Sequence, residues 1–116
     1  MNEYKPDYWQ VIKITSTEGR VLYKVFATWC GGYLDGDSWR MNSGITAVEE
    51  DGDYLIFHGT SGSKYNVVNS DRAYRTTMYS QSVLDSMIQR CHLIGASMEL
   101  LPFDTDFKEI DYENSD

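Results

Sequence analysis

Cysteine and long apolar runs are scarce in this chain. Its two cysteines, Cys30 and Cys91, lie far apart in the 116 residues and belong to no metal-binding or redox motif. This spacing excludes a disulfide-rich scaffold and predicts two reduced thiols. No apolar run approaches the roughly 18 residues of a membrane helix, and MNEYKPDYW lacks the basic and apolar regions of a secretory signal. We therefore expect a cytoplasmic protein that does not bind membranes.

Basic residues are also few, and the charges are unevenly distributed. Ten Lys and Arg residues stand against 18 Asp and Glu residues, which gives a net charge of −8. Bulk nucleic acid needs a basic face, so we expect none to be bound. Acids concentrate in residues 103–116 and 49–53, whereas residues 59–98 are locally basic. This acidity has two explanations. The acidic tail favours solubility, or the acidic residues bind a basic partner.

Runs of β-branched and aromatic residues dominate the sequence, without the alternation of strands and helices that parallel sheets need. The chain length predicts one domain, 1–102, followed by an extended or disordered acidic tail, 103–116. Segments with strand-like composition lie at 8–16, 21–29, 38–41, 45–50, 53–58, 64–68, 73–79 and 97–101, and we expect five to six of them to form one sheet. These patterns predict an α+β fold, in which a curved antiparallel β-sheet of five to six strands packs against one C-terminal amphipathic helix.

The helix is predicted by apolar residues at three- and four-residue spacing. The stripe consists of Val83, Leu84, Met87, Ile88 and Cys91. This spacing indicates a helix over residues 81–93. Ser80 or Ser82 is the expected N-cap, and Gly95 the expected stop.

An Asp-Gly pair predicts a hairpin in the middle of the chain. Asp51-Gly52 lies between ITAVEE and DYLIFH and suits a two-residue type I′ turn. This register pairs Val48 with Leu55. Both faces of the hairpin carry apolar residues, so we expect the helix to cover one face, and curled sheet or a partner subunit the other. The surplus apolar face favours a homodimer.

The sequence holds no complete metal motif. Asp35-Gly36-Asp37 resembles the start of a calcium loop, but Arg40 and Thr46 stand where an EF-hand needs glycine and glutamate. His58 and His92 have no Cys or carboxylate at zinc spacing. We therefore expect neither a metal nor another cofactor.

One cysteine stands in a place where a nucleophile could be activated. Cys30 precedes Gly31-Gly32, whose amides could form an oxyanion hole, and His58 could act as a base. A small hydrolase is the third functional hypothesis for this chain. A packed thiol at the end of a strand is the simpler interpretation.

A Ser/Gly-rich turn offers a second type of site. Flexible amides, hydroxyls and an ammonium group within five residues can cradle a phosphate, and two arginines follow nearby in sequence. The candidate ligand-binding residues are Ser61, Gly62, Ser63, Lys64, Arg72 and Arg75. A nucleotide signal would be the ligand, and the protein would act as its sponge. An ordinary hairpin turn explains the same residues, because the P-loop pattern is absent.

The irregular segment 31–44 is the strongest candidate for a partner-binding surface. Long loops in compact domains are commonly functional, and Trp, Tyr and Arg dominate interface hot spots. The candidate residues are Tyr33, Asp35, Asp37, Trp39, Arg40 and Asn42. The alternative is that Tyr33 and Trp39 only close the end of the sheet.

Two segments carry a resemblance to a known group of proteins. GGYLDGDSWRMNSGI (31–45) and GDYLIFHGTSGSKYNV (52–67) resemble small accessory proteins of large tailed bacteriophages. The resemblance implies a phage protein that works in the host cytoplasm. Small acidic phage proteins often inhibit host or defence-system proteins. We therefore expect a non-enzymatic inhibitor of such a protein.

Overall fold

A computed structural model describes residues 2–31 and 36–112, which form eight strands and one helix. The strands are β1 (Glu3–Tyr4), β2 (Tyr8–Thr15), β3 (Val21–Trp29), β4 (Ser38–Met41), β5 (Ile45–Asp51), β6 (Tyr54–Gly59), β7 (Lys64–Val68) and β8 (Ser97–Leu100), and the helix is α1 (Met78–Leu93). The predicted α+β class is confirmed.

The strands form two sheets, so the prediction of one curved sheet is wrong. Sheet 1 has the order β1-β7-β6-β5, and sheet 2 has the order β4-β3-β2-β8. All pairs are antiparallel except β1 with β7, which is parallel. The chain passes from sheet 2 to sheet 1 between β4 and β5, at Gly44, whose φ of 143° lies outside the range common to other residues. Consecutive strands therefore belong to different sheets at this point.

Sheet 2 is the middle of three layers, because both of its faces are buried. Val11, Val25 and Ala27 face sheet 1, while Ile12 and Phe26 face α1. Both faces of β3 are thus covered. Two covered faces need two further layers, and sheet 1 and the helix provide them.

Trp9 is the centre of the core between the sheets. Its side chain is fully buried, and its ring lies 5.5 Å from those of Phe57 and Phe107 and 4.7 Å from that of Tyr74. The indole N–H donates to the carbonyl oxygen of Val68 at 2.7 Å. Aromatic burial and a satisfied N–H together fix the two sheets against each other.

The predicted hairpin forms, but its turn is displaced by one residue. The last pair is Asp51 with Tyr54, so the two-residue loop is Gly52-Asp53, and Val48 faces Phe57 instead of Leu55. Gly52 has a φ of 60° and Asp53 has a negative φ, which is the φ pattern of a type II′ turn. A type I′ turn would require a positive φ at both positions.

Residues 73–79 do not form the predicted strand. Ala73 closes a turn on the carbonyl of Ser70, and its own carbonyl oxygen accepts from the backbone N–H of Trp9 at 3.0 Å. The helix begins at Met78, and its N-cap is Thr77, whose side chain accepts from the N–H of Ser80. The predicted serine caps are therefore wrong, whereas the stop at Gly95, with a φ of 85°, is confirmed.

The segment after Pro102 returns to the core although it forms no strand or helix. Phe107 is 4% exposed and lies within the core between the sheets. Phe103, Ile110 and Tyr112 pack against the same core, and the rings of Tyr112 and Tyr23 meet edge to face. Residues 103–112 therefore combine an acidic surface with an apolar side that faces inward.

Candidate functional site

The side of sheet 1 that points away from sheet 2, which we call the outer face, is the candidate site. Leu55, Phe57, Tyr65 and Val67 point into the core, so their alternating neighbours point outward. No strand or helix of residues 2–31 and 36–112 packs over these outward positions. The outer face consists of Ala47, Glu49, Asp51, Tyr54, Ile56, His58, Lys64, Asn66 and Val68.

Ile56 occupies the centre of the outer face. It is directly opposite Glu49 on one neighbouring strand and Asn66 on the other. Tyr54 and Val68 form the next cross-strand pair, and they are 47% and 40% exposed. An apolar centre with an acidic and an amide border is typical of protein-binding surfaces, whose cores are apolar and whose rims are polar.

A cleft of about 390 Å³ opens at one end of the outer face. Tyr54, Val68 and Asn66 form its floor, and Asp51 lies beside them. The N-terminal segment contributes Lys5 and Pro6 to its lining. The carbonyl oxygen of the Asn66 side chain is enclosed and has no hydrogen-bond partner among the described residues. An enclosed amide oxygen without a partner is costly to the folded state.

At the other end of the outer face, His58 and Glu49 form a pair. The Nε2 atom of His58 lies 2.5 Å from a carboxylate oxygen of Glu49. This contact holds both side chains flat against the sheet and joins neighbouring strands. A carboxylate beside an imidazole provides two parts of a nucleophilic catalytic triad, which also requires a nucleophile.

The acidic surface continues from the outer face round the tip of the hairpin. The Lys108 ammonium lies 2.6 Å from the Glu50 carboxylate, and this contact brings the acidic segment 103–112 to the hairpin. The hydrogen bond that Lys108 donates to Glu50 raises the pKa of Lys108, and the charges of Asp106 and Glu109 add to the rise. Two acidic segments that are distant in sequence thus meet at one end of the molecule.

The described residues of the predicted partner-binding loop point in different directions. Trp39 stacks on Phe26 at 5.5 Å and packs beneath α1, whereas Arg40 points to the opposite face of sheet 2 and lies 4.6 Å from the centre of the Tyr4 ring. Asp37 is half-buried just before β4. The predicted residues Tyr33 and Asp35 fall outside the described residues.

Asn42, which was also predicted to bind a partner, is part of the fold. It is 4% exposed, and its Oδ1 atom accepts from the backbone N–H of Val25 at 2.8 Å. Its backbone N–H donates to the carbonyl oxygen of Val25. These two bonds continue the pairing of β3 where β4 ends, so the side chain is not available to a partner.

The two parts of the predicted nucleotide site lie apart. Ser61 and Ser63 belong to the turn before β7, where their hydroxyls bond each other and Ser43. Gly62 has a φ of 87° in this turn, and Lys64 begins β7 on the outer face. Arg72 and Arg75 follow the other end of β7, roughly 13 Å away for a strand of this length. Arg75 lies over the ring of Tyr8 in sheet 2.

Cys30 and His58, the predicted nucleophile and base, lie at different sheets. Cys30 follows β3 of sheet 2, and its backbone N–H donates to Asp7 at 2.7 Å. His58 projects from the outer face of sheet 1 and contacts Glu49. Within residues 2–31 and 36–112, no three His, Cys, Asp or Glu side chains are placed to hold a metal ion.

The residues at the centre of the outer face are not among the predicted site residues. Tyr54, Ile56 and His58 alternate with the buried Leu55 and Phe57, and this alternation is the signal that could have identified them. The apolar residues on both faces of the hairpin predict that α1 covers one of these faces, and this prediction is wrong. The helix packs on sheet 2 instead, because Leu84 meets Ile12 and Phe26 there.

Comparisons with known proteins give no relative: no family model, no curated protein and no solved structure matches this chain. In the part of the chain that the structure describes, no helix is long and apolar enough to cross a membrane.

Proposed function

We propose that this chain is a non-enzymatic phage accessory protein that binds and inhibits a host or defence-system protein in the host cytoplasm. The observation that carries the proposal is the outer face of sheet 1, with half-buried Ile56 between the exposed side chains of Tyr54 and Val68. An apolar sheet face that no described element covers is typical of an interaction surface. The resemblance of residues 31–45 and 52–67 to phage proteins supports the biological setting.

The charge of the same region favours a basic partner. Glu49 and Asp51 lie on the outer face, and Glu50 brings the acidic segment 103–112 beside it. Complementary charges speed association and exclude partners of the same sign. A basic protein surface with an apolar centre therefore fits the outer face better than an acidic one. The same acidity disfavours a second copy of this acidic chain as the partner that covers the outer face.

Nucleotide binding is the second candidate function. The hydroxyl cluster of Ser43, Thr60, Ser61 and Ser63, followed by Lys64, supports it. The hydroxyls already satisfy each other, and the arginines needed for phosphate charge lie at the far end of β7. We therefore rank it below partner binding.

The test compares the wild-type protein with Ile56→Glu, which places a charge at the centre of the outer face. Leu100→Glu is the control, because Leu100 is a 41% exposed apolar residue on a strand of sheet 2. A host protein that is captured by the wild type should be purified and titrated with all three proteins, and its own activity should be measured. We expect binding and inhibition to be lost with Ile56→Glu and kept with Leu100→Glu.

Three results would contradict the proposal. Equal binding by Ile56→Glu and Leu100→Glu would place the interface elsewhere. Native mass spectrometry that shows a co-purified nucleotide would favour the sponge function, and a dimer disrupted by Ile56→Glu would show that a second copy covers the outer face. Circular dichroism must show that both variants are folded.

A further inference from the structure

Sheet 1 ends in a long strand that has a neighbour on one side only. β5 has seven residues and pairs only with β6 among the described strands. The other three edge strands, β1, β4 and β8, have two, four and four residues. The free side of an edge strand presents unpaired N–H and C=O groups, which another extended chain can bind. β5 is thus the longest site for strand addition in the described chain.

We propose that the partner presents a basic, extended segment that adds to the free edge of β5. This inference rests on the proposed binding function and specifies the chemistry of the partner. The segment would run beside β5 as a fifth strand of sheet 1. Its outward side chains would extend the apolar and acidic surface that begins at Ile56 and Glu49.

The charges of β5 determine which segment can bind. Glu49, Glu50 and Asp51 are consecutive, so acids project from both faces of the strand, and all three are exposed. The Glu50–Lys108 contact adds Asp106 and Glu109 to the same side of the molecule. Opposite charges on directly paired residues stabilise a sheet, whereas like charges destabilise it. Lysine or arginine at alternate positions of the incoming strand therefore fits this edge.

The same charges oppose pairing between two copies of the protein. An antiparallel pair of β5 strands around Glu49 would bring acids of one copy against acids of the other. Charged edges are a common means of preventing self-association. The irregular register between Ile45 and Ala47 limits regular pairing to the remainder of the strand, which contains these acids. A basic segment of another protein is thus a better occupant than a second copy.

The experiment uses a peptide as long as β5 in which lysine alternates with valine. Two control peptides are needed: one with glutamate in place of lysine, and one with the lysines kept but alternate backbone amides methylated. The full chain is titrated with each peptide at up to millimolar concentration, and amide exchange and chemical shifts are recorded by NMR. We expect the lysine peptide to slow the exchange of outward amides in β5 by about tenfold or more.

Methylation keeps the charge of the peptide but removes the donors that strand addition needs, so this peptide should give no protection. Glu49→Gln with Asp51→Asn should weaken lysine-peptide binding by about tenfold, whereas Glu99→Gln on the β8 edge should not. Equal binding of the methylated peptide would show general charge attraction and overturn the inference. Absence of protection in β5 would overturn it as well.

These results are separable from those of the proposed function. If the partner still requires Ile56 but binds the Glu49→Gln, Asp51→Asn variant normally, the outer face remains the interface and the strand-addition inference fails. If the partner is unaffected by Ile56→Glu, the proposed function fails regardless of the peptide result.

Discussion

The carboxylate of Glu50 lies 2.6 Å from the ammonium of Lys108, and this contact joins segments that are 58 residues apart in sequence. Glu50 precedes the turn of the β5–β6 hairpin, and Lys108 is the base in the acidic segment after Pro102. The contact ties the acidic segment to the hairpin while Phe107, its sequence neighbour, enters the core. Apolar anchoring and charge pairing thus bring the two acidic regions together.

The Glu50–Lys108 pair is expected to be a weak, salt-sensitive contact. Both side chains are 46% exposed, so water and salt screen the attraction. In a double-mutant cycle of Glu50→Gln and Lys108→Met, we expect a small favourable coupling at low salt that disappears at high salt. Thermal unfolding of the four proteins at two salt concentrations measures it. A coupling that persists in high salt would contradict this account.

Phe107→Ala should destabilise the fold by about 3–5 kcal/mol, the usual cost of removing a buried phenylalanine. The ring contacts Trp9, Phe57 and Tyr74 in the core between the sheets. Glu109→Ala, an exposed change in the same segment, should alter stability by less than about 0.5 kcal/mol. Urea unfolding measures both. Equal effects would mean that residues 103–112 behave as a loosely attached tail.

Asn42→Ala should lower the free energy of unfolding by about 1–3 kcal/mol, because it leaves the N–H of Val25 buried without its acceptor. Arg40→Gln, at an exposed position of the same predicted surface, should cost less than about 1 kcal/mol. Denaturant unfolding of both variants distinguishes a residue that supports the fold from one that lies on the surface. If Asn42→Ala left stability unchanged and abolished partner binding, the original interpretation of this residue would be restored.

The sequence predicts the local elements well because their causes are local. The β-branched and aromatic runs place β2, β3 and β7 almost at their observed bounds. The predicted helix begins three residues late, since Met78 and Tyr79 are exposed and so do not extend the apolar stripe. Local patterns do not show which strands pair, and the division into two sheets depends on contacts such as Trp9 with Phe57.

Side-chain direction explains why the described residues of the predicted sites do not share one surface. Trp39 and Arg40 are adjacent, so in a strand they must point to opposite faces, and no shared surface follows from their proximity in sequence. Lys64 begins β7 and Arg72 follows its other end, so closeness in sequence does not bring these two side chains together. The prediction that α1 covers one face of the hairpin is wrong, because the position of the helix depends on the three-layer arrangement and not on the local pattern of the hairpin.

The stability of the protein should fall as pH rises above 10, and Tyr74 is one of the tyrosines whose burial causes this fall. Its hydroxyl donates to the carbonyl oxygen of Leu101 at 2.5 Å and accepts from the N–H of Val11 at 3.1 Å. Burial raises the pKa of Tyr74 from 10.0 to about 12, although the backbone bond to Val11 opposes the rise. The folded state therefore keeps this proton at a pH where the unfolded chain has lost it.

Because the pKa of Tyr74 is higher in the folded state than in the unfolded chain, its proton stabilises the folded state fully below pH 10. This stabilisation is lost as pH rises towards 12. With allowance for partial exposure, we expect a loss of about 2 kcal/mol over this range. Urea unfolding at several pH values and the ultraviolet absorbance of tyrosinate measure it. Tyr74→Phe is the control: it should be less stable at neutral pH, but its stability should depend less steeply on pH above 10. An unchanged slope would assign the effect to other tyrosines.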